Sequence, residues 1–139
     1  MNRLVIDASV LVKLFIEEVG SRSAALTVRK ADALFAPDLL WPETGNILWK
    51  YCRRGELEAH EADAVLDEML RMPIEIVEGQ RLIRAAVKIA TATDRTAYDC
   101  LYVAAAIEVD ATLVTADERL CHALEGSPFA ERVRPIGKK

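Results

Sequence analysis

Four acidic residues occupy widely separated positions, each where a helix is predicted to begin: Asp7, Glu43, Asp99 and Asp117. In a domain of parallel strands and helices, helix N-termini gather along the carboxyl edge of the sheet, where ligands bind. Four carboxylates at that edge would share one crevice and repel one another unless a cation compensates their charge. Hard divalent cations such as Mg2+ or Mn2+ prefer oxygen ligands. The positions of these four acids therefore indicate a metal-dependent hydrolytic site.

Each of the four acids also has an ordinary structural explanation. Asp7 and Asp117 fit the N-cap position, at which a side-chain oxygen accepts hydrogen bonds from the first helical turn. Glu43 would favour the positive end of its helix, and Thr96 with Asp99 fits a capping box. Because α/β proteins in general cap helices at this edge, reasoning from the residues alone leaves both capping and metal binding open.

Asp99 is the acid that capping explains least well. It is the only acidic or basic residue between Tyr98 and Ile107. A helix that is apolar on nearly all sides is buried, and a carboxylate near its start needs a compensating partner. No Lys or Arg occurs in the next two turns of this helix. A bound cation would supply the missing positive charge.

Predicted strands alternate with predicted helices along the chain. The strands are Arg3–Ile6, Ala33–Ala36, Ile74–Val77 and Thr112–Thr115, with a possible edge strand at Arg132–Ile136. The helices begin at Asp7, at Ser21 (to Lys30), near Pro42 (to Gly55), at Glu58 (to Leu70), at Arg81 (to Ala90), at Ala97 (to Val109) and at Glu118 (to Leu124). This order predicts a three-layer α/β fold with a mostly parallel central sheet of four to five strands.

Length and composition predict one soluble domain that spans residues 1–139. The chain is 52% hydrophobic, and its 6 Gly and 5 Pro residues form no linker-like stretch. A domain of this length buries roughly two-thirds of the surface that its unfolded chain exposes, which is enough for a core. The longest apolar run, Leu101–Ile107, is far too short for a bilayer span, and no signal peptide is recognisable. We therefore expect a cytoplasmic protein without membrane contact.

The three cysteines and two histidines offer little chemistry of their own. Cys52, Cys100 and Cys121 are scattered and contain no CxxC pair, which argues against a disulfide framework or a zinc site. His60 and His122 have no Ser or Cys partner in a recognisable nucleophile motif. We expect structural roles for all five.

Basic residues form local clusters in a chain whose net charge is −4 and whose pI is near 5.3. The protein as a whole therefore has no global attraction for nucleic acid. The clusters are Lys50, Arg53 and Arg54; Arg81, Arg84 and Lys88; and the tail residues Arg132, Arg134, Lys138 and Lys139. Each is either a solvated face or a path for a phosphate backbone. We favour the first cluster as the path, because its helix begins near Glu43.

Four segments of the sequence together resemble the PIN-domain nucleases, especially the toxins of VapBC-type toxin-antitoxin pairs. The first segment is LVIDASVLV at 4–12, and the second is APDLL at 36–40 followed by Glu43 and Asn46. The third is TAYD at 96–99 with the Ala-rich helix after it, and the fourth is LVTADERL at 113–120. The four segments are in the family's order and span residues 4 to 120. The chain departs from the family pattern at Trp41, Pro42 and Gly45, which make the helix start around Glu43 less regular.

The resemblance implies a PIN-like domain that hydrolyses RNA phosphodiester bonds with Mg2+ or Mn2+, as the toxin of an antitoxin-controlled pair. Asp7 and Asp99 would be the principal metal ligands, and Asp117 would complete the site directly or through water. Glu43 would orient the attacking water or hold a second ion. Such an ion lowers the pKa of bound water and stabilises charge on the scissile phosphate. The resemblance also implies a homodimer and a protein antitoxin whose tail would occupy the groove.

Substrate binding is predicted for five further residues: Ser9, Thr115, Lys50, Arg53 and Arg54. Ser9 and Thr115 could bind a water of the site, or they could bind only their own backbone. The aromatic residues near the predicted site are expected in the core or at an interface instead of stacking on bases: Trp41, Trp49, Tyr98 and Tyr102.

Three rival functions fit parts of the pattern. A phosphatase with aspartyl-phosphate chemistry would need a second acid two residues after Asp7, where Ser9 stands. A receiver-like signalling domain would need an acidic pair beside Asp7 and an Asp at the end of the third strand, where Val77 and Glu78 stand. A catalytically silent RNA-binding or antitoxin-binding module would have no need of all four acids, and the chain carries all four.

Overall fold

The computed structural model describes residues 1–137, in which five parallel strands form one central sheet. Lys138 and Lys139 of the basic tail, and with them the end of the predicted domain, lie outside the described residues. The strands are β1 Arg3–Ile6, β2 Ala33–Pro37, β3 Ile74–Val77, β4 Thr112–Thr115 and β5 Val133–Pro135. All four strand pairings are parallel. The predicted three-layer α/β class is confirmed.

Seven α-helices connect or follow the strands. They are α1 Ala8–Lys13, α2 Ser21–Arg29, α3 Leu40–Arg53, α4 Ala59–Leu70, α5 Gly79–Thr93, α6 Ala97–Glu108 and α7 Glu118–Leu124, with a 3-10 turn at Ala130–Arg132. None of the helices in residues 1–137 has the length and apolar character that a bilayer span requires. Of the possible edge strand predicted at Arg132–Ile136, Val133–Pro135 form β5, whereas Arg132 is the last residue of the 3-10 turn.

The α5 helix is longer than its sequence pattern predicts, because its start is set by a distant residue. It begins at Gly79 instead of Arg81 and ends at Thr93 instead of Ala90. The carboxylate of Asp38 accepts a hydrogen bond of 3.1 Å from the Gly79 N–H. This contact satisfies one of the free amides of the first turn.

The strand order β3-β2-β1-β4-β5 places the first and fourth strands side by side at the centre of the sheet. The chain moves outward from β1 to β3 and then returns to the other side of β1. The register pairs Ile6 with Val114, so the carboxyl ends of β1 and β4 lie next to each other. A reversal of strand order of this kind opens a crevice at the carboxyl edge of the sheet, where α/β proteins bind ligands.

Alternating side chains of β1 face two separate cores. Leu4 and Ile6 pack in the core that contains residues of α1 to α4, whereas Val5 packs with residues of α5 and α6. Every residue from Cys100 to Ala106 is buried, because α6 packs between the sheet and α5. Burial of one large aliphatic side chain contributes about 1.5–3 kcal/mol, so this packing fixes the position of α6 firmly.

Candidate active site

A cleft at the carboxyl edge of the sheet contains side chains of all four predicted acids. Each acid comes from a different element of the fold. Asp7 follows β1 as the N-cap of α1, Glu43 lies in the first turn of α3, Asp99 lies in the first turn of α6, and Asp117 is the N-cap of α7. The fold therefore brings together residues that are up to 110 positions apart in the chain. The other lining residues include Ser9, Asn46, Tyr102 and Thr115.

Asp7 is held by hydrogen bonds to both of its carboxylate oxygens. Its Oδ1 accepts from the Ser9 hydroxyl at 2.6 Å and from the Val10 N–H at 3.1 Å. Its Oδ2 accepts from the hydroxyl of Thr115 at 2.5 Å. Asp7 is thus the N-cap of α1 and a cleft residue at the same time, so capping and participation in a site are compatible.

The hydroxyls of Ser9 and Thr115 also connect the ends of β1 and β4. The Ser9 Oγ accepts a hydrogen bond of 3.2 Å from the Ala116 N–H, and the Thr115 Oγ1 accepts one of 3.0 Å from the Asp117 N–H. Each hydroxyl therefore donates to Asp7 and accepts from the backbone after β4. Thr115 is fully buried. The backbone contacts agree with one of the two alternatives considered from the sequence, and the bonds donated to Asp7 add a contact that neither alternative includes.

Glu43 is partly buried and is contacted from the neighbouring helix by Tyr102. The Tyr102 hydroxyl donates a hydrogen bond of 2.6 Å to the Glu43 Oε1. Tyr102 lies in the core, as the sequence predicts, but its hydroxyl also reaches the cleft. Sequence reasoning missed this functional contact. The available signal was the spacing of three residues between Asp99 and Tyr102, which places both on one face of α6.

Asp99 and Asp117 each belong to a capped helix start. The Thr96 hydroxyl caps α6 by accepting from the Asp99 N–H at 3.1 Å. Asp117 accepts from the N–H groups of Arg119 at 3.0 Å and Leu120 at 3.3 Å. Burial raises the pKa of Asp99, and the positive charge of Arg95 partly opposes this rise. Arg95 precedes α6, so the absence of Lys and Arg from the turns that follow Asp99 gives no sign of this charge.

Burial raises the pKa of three of these carboxyl groups above their usual values. In Asp7, burial is the largest cause, hydrogen bonds from Ser9, Thr115 and Val10 oppose it, and the charge of Asp117 adds to it. In Glu43, burial again comes first, the hydrogen bond from Tyr102 opposes it, and the charges of Asp7 and Asp99 add to it.

The pKa of Asp99 is raised first by burial and then by the charge of Asp117, against the lowering effects of Thr96 and Arg95. Taken together, the electrostatic effects link all four acids in pairs across the cleft. The fold thus holds Asp7, Glu43 and Asp99 where each carboxylate binds a proton more readily than in water. A concentration of negative charge of this kind favours a cation.

The donor set of the cleft suits a hard divalent cation. Its lining offers carboxylate, hydroxyl and amide oxygens, and within residues 1–137 it includes no Lys, Arg or His. In the same part of the chain, no three His, Cys, Asp or Glu side chains are close enough to form a ready-made metal-binding group. Hydrogen bonds from Ser9, Thr115 and Tyr102 hold Asp7 and Glu43 in this arrangement. Bridging waters, which Mg2+ commonly keeps, would accommodate it.

The basic cluster of α3 lies at the exposed C-terminal end of that helix. Lys50 is seven residues after Glu43, which corresponds to about 10 Å along the helix axis. The Arg53 guanidinium lies 5.5 Å from the ring centre of Trp49, which is 53% exposed. Arg54 forms an ion pair of 3.1 Å with Glu56. The cluster therefore begins about 10 Å from Glu43 along the helix axis, and the charge of Arg54 is partly compensated by Glu56.

Comparisons with known proteins relate almost the whole chain to one family. The pattern of the PIN domain family matches residues 4–125. Ribonuclease VapC3 of Pyrobaculum aerophilum is 33% identical to this chain over 120 residues, which are 85% of this chain and 92% of the relative.

Solved structures with the same fold include two that cover most of the chain. PAE2754 from Pyrobaculum aerophilum has a TM-score of 0.67 at 25% identity, over 91% of this chain and 82% of that chain. A toxin-antitoxin complex from Klebsiella pneumoniae has a TM-score of 0.67 at 14% identity, over 98% of both chains, which shows likeness of fold alone.

Proposed function

Because the chain belongs to the PIN domain family, we propose that it is a metal-dependent endoribonuclease and the toxin of a VapBC-like toxin-antitoxin pair. The observation that carries this proposal is the cleft in which four acids from four elements meet. The relative that is 33% identical bears the name Ribonuclease VapC3, which supports RNA as the substrate. The reaction is hydrolysis of a phosphodiester bond, for which no covalent enzyme intermediate is required.

Mg2+ or Mn2+ is the proposed cofactor, with Asp7, Asp99 and Asp117 as the residues that would hold it. When bound, the cation would activate water and offset the negative charge that develops on the scissile phosphate. Ser9 and Thr115 contribute by fixing the orientation of Asp7, since each hydroxyl donates to one of its oxygens. Their proposed effect on the substrate is therefore indirect.

Glu43 is proposed to orient the attacking water. Tyr102 donates to its Oε1, which leaves its Oε2 able to accept a hydrogen bond from a water in the cleft. Because burial and the neighbouring acids raise the pKa of Glu43, this carboxylate accepts a proton more readily than an exposed one. A role of Glu43 in holding a second ion fits the same position.

Lys50, Arg53 and Arg54 are proposed to contact the RNA backbone. All three are exposed, and they extend along α3 away from Glu43. An acidic protein needs such a local track to hold a polyanion, because its net charge of −4 opposes binding.

The proposal also includes a protein antitoxin as partner and a homodimeric state. It further includes a cytoplasmic location without membrane contact and one domain over residues 1–139. The antitoxin is supported by the VapC name of the 33% identical relative. The fold likeness to the chain from the Klebsiella pneumoniae toxin-antitoxin complex is compatible with it. The single domain is supported by β5, because this strand joins residues 133–135 to the same sheet that contains β1.

The alternative is a catalytically silent module that binds RNA or the antitoxin. It is favoured by one observation: the described residues contain no ready-made group of three metal-ligating side chains. Expression in a bacterial host separates the two functions. Wild-type protein should arrest growth, whereas Asp99→Asn at the same protein level should not, and Asp63→Asn, which changes an exposed acid of α4, serves as the matched control. Equal toxicity of the wild type and Asp99→Asn would favour the silent module.

A further inference from the structure

Tyr102 occupies an unusual position for a tyrosine of a buried helix. Its side chain is only 4% exposed, and its neighbours Leu101 and Val103 to Ala106 are all buried apolar residues. The hydroxyl is the one polar group that this stretch of α6 brings to the cleft. A buried phenol requires a hydrogen-bond partner, so the partner that it has is informative.

The partner of the Tyr102 hydroxyl is Glu43, 59 positions earlier in the chain. The hydrogen bond is 2.6 Å long and ends on the carboxylate Oε1. The backbone N–H of Ala8, the first residue of α1, also interacts with this hydroxyl. One hydroxyl therefore links α6 with α3 and with the start of α1, the helix that Asp7 caps.

The helix that carries Glu43 does little to orient this side chain. Leu39 occupies the N-cap of α3 and provides no side-chain hydrogen bond, and Pro42 directly precedes Glu43. Gly45 has no side chain, and no neighbouring atom lies within 4 Å of where its Cβ would be. Among the described residues, Tyr102 supplies the only side-chain hydrogen bond to the Glu43 carboxylate.

We propose that Tyr102 is a positioning residue, which fixes the Glu43 carboxylate for attack on RNA by donating to its Oε1. This role rests on the nuclease activity proposed above. The hydrogen bond engages Oε1 and restricts rotation of the carboxylate, which lines the cleft, so that a water bound to this carboxylate is held in one orientation. Buried Tyr102 does not contact the RNA itself. Its loss should therefore reduce kcat and leave KM largely unchanged.

The first experiment replaces only the hydroxyl, with Tyr102→Phe, and measures kcat and KM on a defined RNA oligonucleotide with saturating Mn2+. We expect kcat to fall about tenfold or more, and KM to remain within about twofold. Tyr98→Phe is the matched control, because Tyr98 lies on the same helix with its side chain 64% exposed. This control should match the wild type. Wild-type kcat for Tyr102→Phe would overturn the proposal.

The second experiment tests whether Tyr102 acts through Glu43. In the Glu43→Ala background, Tyr102→Phe should change the single-turnover cleavage rate by less than about twofold, because coupled residues are not additive. Equal losses from Tyr102→Phe in both backgrounds would contradict the proposal.

Unfolding of the wild type, Tyr102→Phe, Glu43→Ala and the double variant in EDTA gives a double-mutant cycle that does not depend on activity. Non-additive unfolding midpoints are expected, and additive midpoints would show that the two side chains are not coupled. An inactive wild type, by contrast, would refute the proposed nuclease function while this cycle still tests the contact.

Discussion

At the scale of single residues, Asp7 combines two roles that are usually considered separately. Its carboxylate caps α1 and is fixed on both oxygens by Ser9 and Thr115. The same group faces three other acids in the cleft. A carboxylate that is buried beside other acids is held there at a cost in stability.

Asp7→Asn should stabilise the metal-free protein at neutral pH. Burial and Asp117 raise the folded-state pKa of Asp7 above its ordinary value of 3.8. Its contribution to stability is therefore greatest below that value and is lost as the pH rises through the folded-state pKa. Asn cannot ionise, so its advantage should be present at pH 7.5 and disappear towards pH 4.

The measurement for Asp7→Asn is the difference in Tm from the wild type in EDTA at both pH values. A gain of about 1 kcal/mol would raise Tm by roughly 3–5 °C in a chain of this size. The same variant should lose RNA cleavage by roughly 100-fold or more. A Tm difference that is the same at pH 4 and pH 7.5 would contradict the pKa argument.

At the scale of elements, α3 has three separate features: a residue of the cleft, a buried hydroxyl without a partner among the described residues, and a basic C-terminal end. Thr44 follows Glu43 and is fully buried, and in the described part of the chain its hydroxyl has no hydrogen-bond partner. An unsatisfied buried polar group costs about 1–3 kcal/mol. The packing of α3, which contacts α1 and α4, therefore includes one side chain that weakens it.

Thr44→Val should raise the free energy of unfolding by about 1 kcal/mol, because it removes the hydroxyl and keeps the shape of the side chain. Chemical denaturation measures this change. Thr91→Val is the matched control, since the exposed Thr91 hydroxyl already donates to the Val87 carbonyl at 2.8 Å. No gain is expected there. Destabilisation by Thr44→Val would show that its hydroxyl is satisfied in solution.

The basic end of α3 should control the affinity for RNA without controlling the chemistry. Changing Lys50, Arg53 and Arg54 to Gln should weaken binding across RNA sequences and reduce the salt slope by up to about 2, at about 0.7 per phosphate contact on a single strand. Cleavage of bound RNA should persist. Binding titrations at several salt concentrations provide the measurement.

The corresponding triple variant of α5, at Arg81, Arg84 and Lys88, is the comparison for the α3 variant. Arg81 is engaged with Glu108 in an ion pair of 2.5 Å, so a smaller effect is expected from this set. An unchanged salt slope for the α3 variant and a reduced one for the α5 variant would move the RNA path to α5.

Local patterns predicted those elements whose ends are set by nearby residues. The α6 helix begins at Ala97 as predicted, because Thr96 caps it and an apolar run follows. The start of α5 was missed because Asp38, which holds the Gly79 N–H, is 41 residues away in the chain. No local pattern contains a contact of that range.

The positions of the four acids at one edge could likewise be predicted, because parallel strands bring their helix starts together. The contact between Tyr102 and Glu43 could not, since it depends on how α6 packs beside α3. The hydroxyls of Ser9 and Thr115 were assigned to substrate binding from the sequence. Their bonds to Asp7 depend on the register of β1 against β4, which the sequence does not specify.

At the scale of the whole molecule, the strand order explains why a chain with net charge −4 concentrates acids at one point. The reversal of order between β1 and β4 opens the crevice that Asp7 and Asp117 flank. The buried α6 then brings Asp99 to the same place. The negative charge of these acids would repel a polyanion such as RNA, and a bound cation would compensate that charge.

RNA cleavage by the purified protein as a function of divalent cation tests this account most directly. The wild type is treated with EDTA and assayed on a labelled RNA before and after addition of Mg2+ or Mn2+, together with Asp99→Asn and the control Asp63→Asn. We expect no cleavage in EDTA, recovery on addition of either cation for the wild type and Asp63→Asn, and no recovery for Asp99→Asn. Full activity of the wild type in metal-free buffer, or of Asp99→Asn in any buffer, would contradict it.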